Sequence, residues 1–252
     1  MRKRSLMLTV VGLGMALTLT LATSPALALS LTGDYFTLSA THPDTLGGID
    51  GATVTGLVSP ALLGGLPVYT GLLPPASGAI TDLGGGSTIQ WWTNHGTTVT
   101  TDIVRSDAIT GGVLGGGAFA SSFFPNGHVN DASGYRSVHW TGAFSVGAGG
   151  ATLHLSADDD AWLFLNGNLR LDNGGVKAIG LATTSTATLV AGNYNVDLFF
   201  ADRHQTQSGI VFDCEGCLDP VPEPATLLLF GTTLAGLGAV VRRRIKGNKE
   251  VA

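Results

Sequence analysis

The stretch Ser156-Ala157-Asp158-Asp159-Asp160-Ala161-Trp162-Leu163-Phe164-Leu165-Asn166-Gly167-Asn168-Leu169-Arg170-Leu171-Asp172 holds an Asn-Gly pair between two runs of β-patterned residues. Such a pair is the strongest short-range signal of a β-hairpin, because a type I′ turn needs positive φ at both central positions. With Asn166 and Gly167 as the turn, Leu165 faces Asn168, Phe164 faces Leu169, Ala161 faces Asp172 and Asp160 faces Asn173. This register gathers Asp158, Asp159, Asp160 and Asp172 at the open end of one ribbon, with only Arg170 and Lys177 nearby in sequence to neutralise them. Crowded carboxylates repel unless a cation, a proton or solvent intervenes, and an all-oxygen cluster suits Ca²⁺. The four aspartates are therefore the candidate metal ligands and Ca²⁺ the candidate cofactor. A solvated acidic loop, or aspartates that cap backbone N–H groups, is the alternative.

Outward from the hairpin, glycine clusters such as Gly84-Gly86 and Gly115-Gly117 separate short runs rich in β-branched and aromatic residues, among them Val99 to Val104, Thr152 to Leu155 and Asn195 to Phe200. Short strands punctuated by turn signals predict an all-β sandwich or barrel. No sustained 3.6-residue apolar period occurs between residues 29 and 220, so helix is expected to be minor. At 192 residues that segment is long enough for one full core. Four tryptophans and well-patterned strands argue for order after about residue 90, whereas residues 29–89 read as either folded or disordered.

The ends carry different signals. Three cations in Met1 to Arg4, an apolar run from Leu6 to Leu21 and Ala26-Leu27-Ala28 read as a signal peptide over residues 1–28. At the other end Pro222-Glu223-Pro224 precedes an apolar stretch, residues 225–241, and then Arg242-Arg243-Arg244. About 17 apolar positions make about 26 Å of helix, a marginal membrane span whose basic flank marks the cytoplasmic side. Residues 29–218 are left as the extracellular domain and 219–252 as a terminal segment with a basic tail from 242. Between residues 29 and 220, five cations (Arg105, Arg136, Arg170, Lys177, Arg203) stand against 16 acids, a net charge of −11. Nucleic acid is repelled by such a field, while metal cations and neutral polymers are admitted. Cys214 and Cys217, the only cysteines, can form one short-loop disulfide but cannot complete a zinc site.

Two resemblances follow from these residues. Pro222-Glu223-Pro224, a short span and a basic end look like the PEP-CTERM sorting signal of Gram-negative bacteria, which implies recognition and cleavage by an exosortase. Asp158 to Gly167, then Asp172-Asn173-Gly174-Gly175-Val176, resemble the signature of the fibro-slime domain. The run Leu189-Val190-Ala191-Gly192-Asn193-Tyr194, followed by Asp197 to His204 and Ser208, matches that family's second block in order and spacing. Looser echoes lie at His42-Pro43-Asp44, Pro67-Val68-Tyr69 and Gln90-Trp91-Trp92. Fibro-slime domains are similar to the protective-antigen-type, lectin-like β-sandwich. The resemblance implies that Asp158 and Asp159, an adjacent pair often joined by a cis peptide, hold a Ca²⁺ that also touches sugar hydroxyls. Two positions depart from the family pattern: Lys177 stands where His is usual and Asp202 where Glu is usual.

The remaining ligand-binding candidates are Asn173, Trp92, Arg203 and His204. If Trp91 and Trp92 lie on a strand they point to opposite faces, so one is core and the other free to stack on a sugar. Arg203 and His204 fall in a loop, where either ligand contact or an Asp202–Arg203 pair pinning the loop is expected. Asp158 and Asp160 at about 6.5 Å along a strand would suit an inverting glycosidase. However, Glu215 is the only glutamate in residues 29–218, and no nucleophile-elbow, metalloprotease or phosphate-cradling motif is present. The expectation is a non-enzymatic cell-surface or matrix protein that binds glycan or exopolysaccharide, with a purely structural biofilm-matrix role as the alternative.

Overall fold

The computed structural model describes residues 29–45, 47–110, 113–114, 134–180 and 184–218. The expected signal peptide and sorting segment, with Pro222, Glu223, Pro224, Arg242, Arg243 and Arg244, lie outside them. Among the described residues no helix is long and apolar enough to cross a membrane.

The strands are β1 (Leu29–Leu38), β2 (Val99–Thr110), β3 (Val113–Leu114), β4 (Tyr135–Val146), β5 (Ala151–Asp158), β6 (Asp160–Leu165), β7 (Asn168–Asn173), β8 (Ser185–Leu189), β9 (Gly192–Ala201), β10 (Gly209–Glu215) and β11 (Cys217–Leu218). A single turn of 3₁₀ helix, Gly85–Ser87, is the only helical element described. The ladder runs β7-β6-β9-β4-β1-β2-β3-β10-β5-β8, and its pairings are antiparallel. The protein is an all-β sandwich: β7-β6-β9-β4-β1 form one layer, β10-β5-β8 the other, and β2 with β3 hand the ladder across. β11 leaves β10 at Gly216 and pairs with β4, so the last described turn joins both layers. Cys214 and Cys217 are disulfide-bonded across that turn.

Successive residues of a strand point to opposite faces, and here both faces of the first layer are buried. Ala161, Leu163 and Leu165 of β6, Val196, Leu198 and Phe200 of β9, and Tyr35 of β1 enter the core between the layers. Their neighbours Trp162, Phe164, Phe199 and Phe36 enter a second core on the other side. That core is closed by the long connection from β1 to β2, which contributes Leu57, Val58, Tyr69, Ile80, Ile89, Trp91 and Trp92. The described residues of this connection, 39–45 and 47–98, are thus anchored to the sheet by a core of their own. They also cover the edge strand β7, through Val54 N–H to Gly174 O, Leu169 N–H to Pro60 O and Leu62 N–H to Gly167 O. An uncovered edge would offer its backbone groups to other chains.

The hairpin forms with Asn166 and Gly167 at positive φ, 52° and 75°. Leu165 faces Asn168 and Phe164 faces Leu169, but the register then slips by one residue at Arg170. Trp162 therefore faces Asp172, and Ala161 faces Asn173, correcting the expected pairings of Ala161 with Asp172 and of Asp160 with Asn173. The reason is packing. Leu169 packs on the second core with Phe164, whereas Leu171 belongs to the core between the layers with Leu163. In a regular strand residues two apart share a face, and a bulge at the exposed Arg170 lets the two leucines part.

Trp162→Ala removes a fully buried ring from the second core. The expected cost is about 3–5 kcal/mol in urea unfolding, against less than about 0.5 kcal/mol for Val104→Ala on the exposed side of β2.

Candidate functional site

The chain passes from one layer to the other at Asp158-Asp159-Asp160, where a single residue, Asp159, separates β5 from β6. The Asp158–Asp159 peptide bond is cis. All three side chains are buried, at 4%, 1% and 0% exposure, and buried carboxylates require donors. Asp160 receives Arg203 Nη1 at 3.2 Å on Oδ2 and Gly175 N–H at 2.5 Å on Oδ1. Asp159 receives Arg203 N–H at 2.6 Å on Oδ2 and Lys177 N–H at 3.1 Å on Oδ1. Burial raises the Asp159 pKa to about 6; the Arg203 N–H works against this, the Asp160 charge adds to it, and a hydrogen bond with the Asp158 carboxyl works against it.

Arg203, wholly buried, is the hub. Besides Asp160 it reaches Asp44 O through Nε at 2.7 Å and Ser77 O through Nη2 at 3.1 Å, and its guanidinium lies 5.1 Å above the Trp91 ring. Asp44, held in turn by Thr81 N–H and Trp91 Nε1–H, stood in the sequence only as part of a loose family echo, with no role assigned to it. Arg203 thus fastens the β1–β2 connection to the strand junction. Losing one partner of a buried pair of this kind costs about 3–5 kcal/mol.

Lys177, one of the two cations that the sequence places near the aspartates, is the second buried anchor of the junction. At 1% exposure, its Nζ donates to Asp159 O (2.8 Å), Asn173 O (2.9 Å) and Gly175 O (3.2 Å). Burial lowers its pKa, and the nearby carboxylates, Asp160 first, oppose that shift. Of the two cations near the aspartates in sequence, Lys177 takes the place beside them, whereas Arg170 is exposed and donates to Thr188 O.

The four aspartates do not form one cluster. Among the described residues no group of three or more His, Cys, Asp or Glu side chains converges as a metal site. The register slip gives Asp172 Oδ1 to Trp162 Nε1–H at 3.0 Å, and Oδ2 accepts Gly56 N–H at 2.7 Å. Its pKa is raised by burial, against the Gly56 hydrogen bond. Asp160 is committed to Arg203 and Gly175. Asp158 and Asp159 border a cleft of about 90 Å³, together with Ile49, Lys177, His204 and Thr206. Of the other candidates, Asn173 is fully buried, with Oδ1 accepting Ala157 N–H and Nδ2 donating to Ser185 Oγ. Trp92 is not presented to solvent: Trp91 and Trp92 lie in a turn, where strand alternation does not apply, and both are buried. Trp92 Nε1–H donates to Phe200 O. Only His204, partly exposed and hydrogen-bonded to Thr206 Oγ1, lies on the cleft as an accessible side chain.

Comparison with known proteins falls on the same region. Residues 128–216 match the PA14 domain, and residues 220–244 match the PEP-CTERM protein-sorting motif. Protein psiE of Dictyostelium discoideum is 35% identical over 89 residues, covering 33% of this chain and 18% of psiE. The chain spans less than a fifth of the length of the curated relatives it matches. An anti-sigma factor domain-containing protein from Clostridium clariflavum aligns with a TM-score of 0.37 and 14% identity, over 75% of this chain and 42% of its own. A PA14 sugar-binding domain from an RTX adhesin aligns with a TM-score of 0.30 and 12% identity, over 74% of this chain and 88% of its own.

Asp159 generates a pH dependence of definite sign. Its folded-state pKa lies above the ordinary 3.8, so its contribution to stability is present below about pH 4 and is lost as pH rises through about 6. Carboxyl ¹³C NMR in a chelated buffer is expected to give Asp159 a midpoint near 6; a midpoint at 4 or lower contradicts the buried geometry.

Proposed function

We propose that this chain is exported to the cell surface and binds a carbohydrate there, through the cleft at Asp158 and Asp159, with the help of a bound Ca²⁺. The observation that carries the reading is a pair of adjacent, buried carboxyl groups, Asp158 and Asp159, at the wall of a cleft. Two carboxyl groups so placed hold a proton or a cation between them. The donor set fits a hard cation: carboxylate oxygens of Asp158 and Asp159, with the Thr206 hydroxyl and the Gln207 amide on the same cleft. Two carboxylates fall short of the six to eight oxygens that Ca²⁺ takes, so water and ligand hydroxyls would complete the shell. The ion would supply a Lewis-acidic point that vicinal sugar hydroxyls can share.

The protein's own part is positional. Arg203 N–H and Lys177 N–H fix the Asp159 carboxylate from behind. His204 and Thr206 also line the cleft, and Ile49 supplies an apolar wall from the β1–β2 connection. The match to the PA14 domain and the sorting motif support a surface glycan binder over a purely structural matrix protein. The acid that would partner Asp158 in glycoside hydrolysis, Asp160, is paired with Arg203. The sorting motif is the expected site of exosortase processing near Pro222-Glu223-Pro224, with exopolysaccharide at the cell surface as the natural glycan.

Isothermal titration with Ca²⁺ is expected to give a saturable signal that Asp158→Asn weakens at least tenfold while the melting temperature holds. A glycan array probed with Ca²⁺ should show discrete hits that vanish in EDTA. No calcium heat together with a blank array would overturn the reading. Terminal mass spectrometry of protein from the producing cell is expected to place its C-terminus near residue 223, and an intact C-terminal segment would remove exosortase from the account.

A further inference from the structure

We propose that the Lys177 ammonium is a built-in counter-ion that holds the frame of the cleft together without a metal, leaving a bound cation to act only on the ligand side. This rests on the calcium-assisted reading above and says how that same site is regulated by charge. Three acceptor carbonyls surround Nζ, and three N–H donors are needed to satisfy them, which is the ammonium form. The three carbonyls come from the strand junction (Asp159), the end of β7 (Asn173) and the loop beyond it (Gly175), so one side chain ties the junction to the end of β7. The backbone N–H of the same residue holds Asp159 Oδ1, so both the main chain and the carboxylate of Asp159 are placed by Lys177.

Asp158, Asp159 and Asp160 bring three negative charges when ionised, and Arg203 and Lys177 return two positive ones. Every donor hydrogen of the lysine is spent on a main-chain carbonyl, so its charge acts on the carboxylates of the junction through space. Taking the side chain away would leave carbonyl oxygens with no donor beside carboxylates with one cation fewer, a set of hard oxygen ligands suited to Ca²⁺. Lys177 is thus a positioning residue whose charge sets how strongly the domain depends on calcium.

The test is thermal melting of wild type and Lys177→Ala over residues 1–252 as expressed, in EDTA and in millimolar Ca²⁺. Wild type is expected to unfold cooperatively in EDTA and to gain only a few degrees from calcium. Lys177→Ala should melt well below wild type in EDTA and gain at least twice the wild-type increment from calcium, a rescue that a merely structural lysine would not produce. An increment equal to or smaller than that of wild type overturns the proposal, as does a wild type with no cooperative transition in EDTA. If Lys177→Ala does not fold in either buffer, the wild-type transition in EDTA decides alone, its presence supporting the proposal and its absence overturning it. A calcium increment in Lys177→Ala with none in wild type would sink the calcium-assisted glycan reading and leave the counter-ion role standing.

Discussion

Three consecutive carboxylates buried at one strand junction are the constraint from which the rest of this structure follows. Each would cost several kcal/mol if left without a partner. The chain has few cations with which to compensate them, and it commits two at this point. Arg203 comes from the loop after β9 and Lys177 from the loop after β7, so both loops are drawn onto the Asp158–Asp160 junction. Because Arg203 also captures the carbonyls of Asp44 and Ser77, neutralising the junction docks the β1–β2 connection as well. Electrostatic compensation and tertiary docking are here the same set of hydrogen bonds.

The docked connection changes the character of the sheet beneath it. A sandwich layer ordinarily shows one face to the core and one to water, whereas every residue of β6 is buried. The aromatic residues divide between two cores according to parity along the strand, and Trp91, Trp92 and Trp162 meet with ring centroids 5.5–6.1 Å apart. The cleft opens where the junction, the β7–β8 loop and the β1–β2 connection come together, so each wall belongs to a different segment and a compact site arises from positions far apart in sequence.

What could be read from the sequence was local. The Asn166-Gly167 turn, the β class and the strands from Val99, Thr152 and Asn195 all follow from patterns a few residues long. The slip at Arg170 was hidden because it is decided by which core Leu169 and Leu171 each enter, a fact that exists only once both layers and the connection are assembled. That single residue turned Asp172 toward the Trp162 indole and dissolved the expected group of four aspartates. Trp92 was misplaced for a related reason, since alternation has meaning only on a strand and residues 91–92 form a turn. Arg203 was expected either to contact ligand or to pair with Asp202, whereas it pairs with Asp160 and reaches the carbonyls of Asp44 and Ser77, partners far off in sequence.

The turn at Gly216 has a mechanical side. β10 is bonded to the second layer and β11 to the first, and the Cys214–Cys217 bond closes the corner between them. A load arriving from beyond Leu218 meets that covalent corner first and is divided between the layers before either core is strained. Peeling β11 from β4 therefore exposes only Cys217 and Leu218, while β10, held between β3 and β5, stays seated. A domain suspended by its last residues would hang from its seam rather than from one unravelling strand.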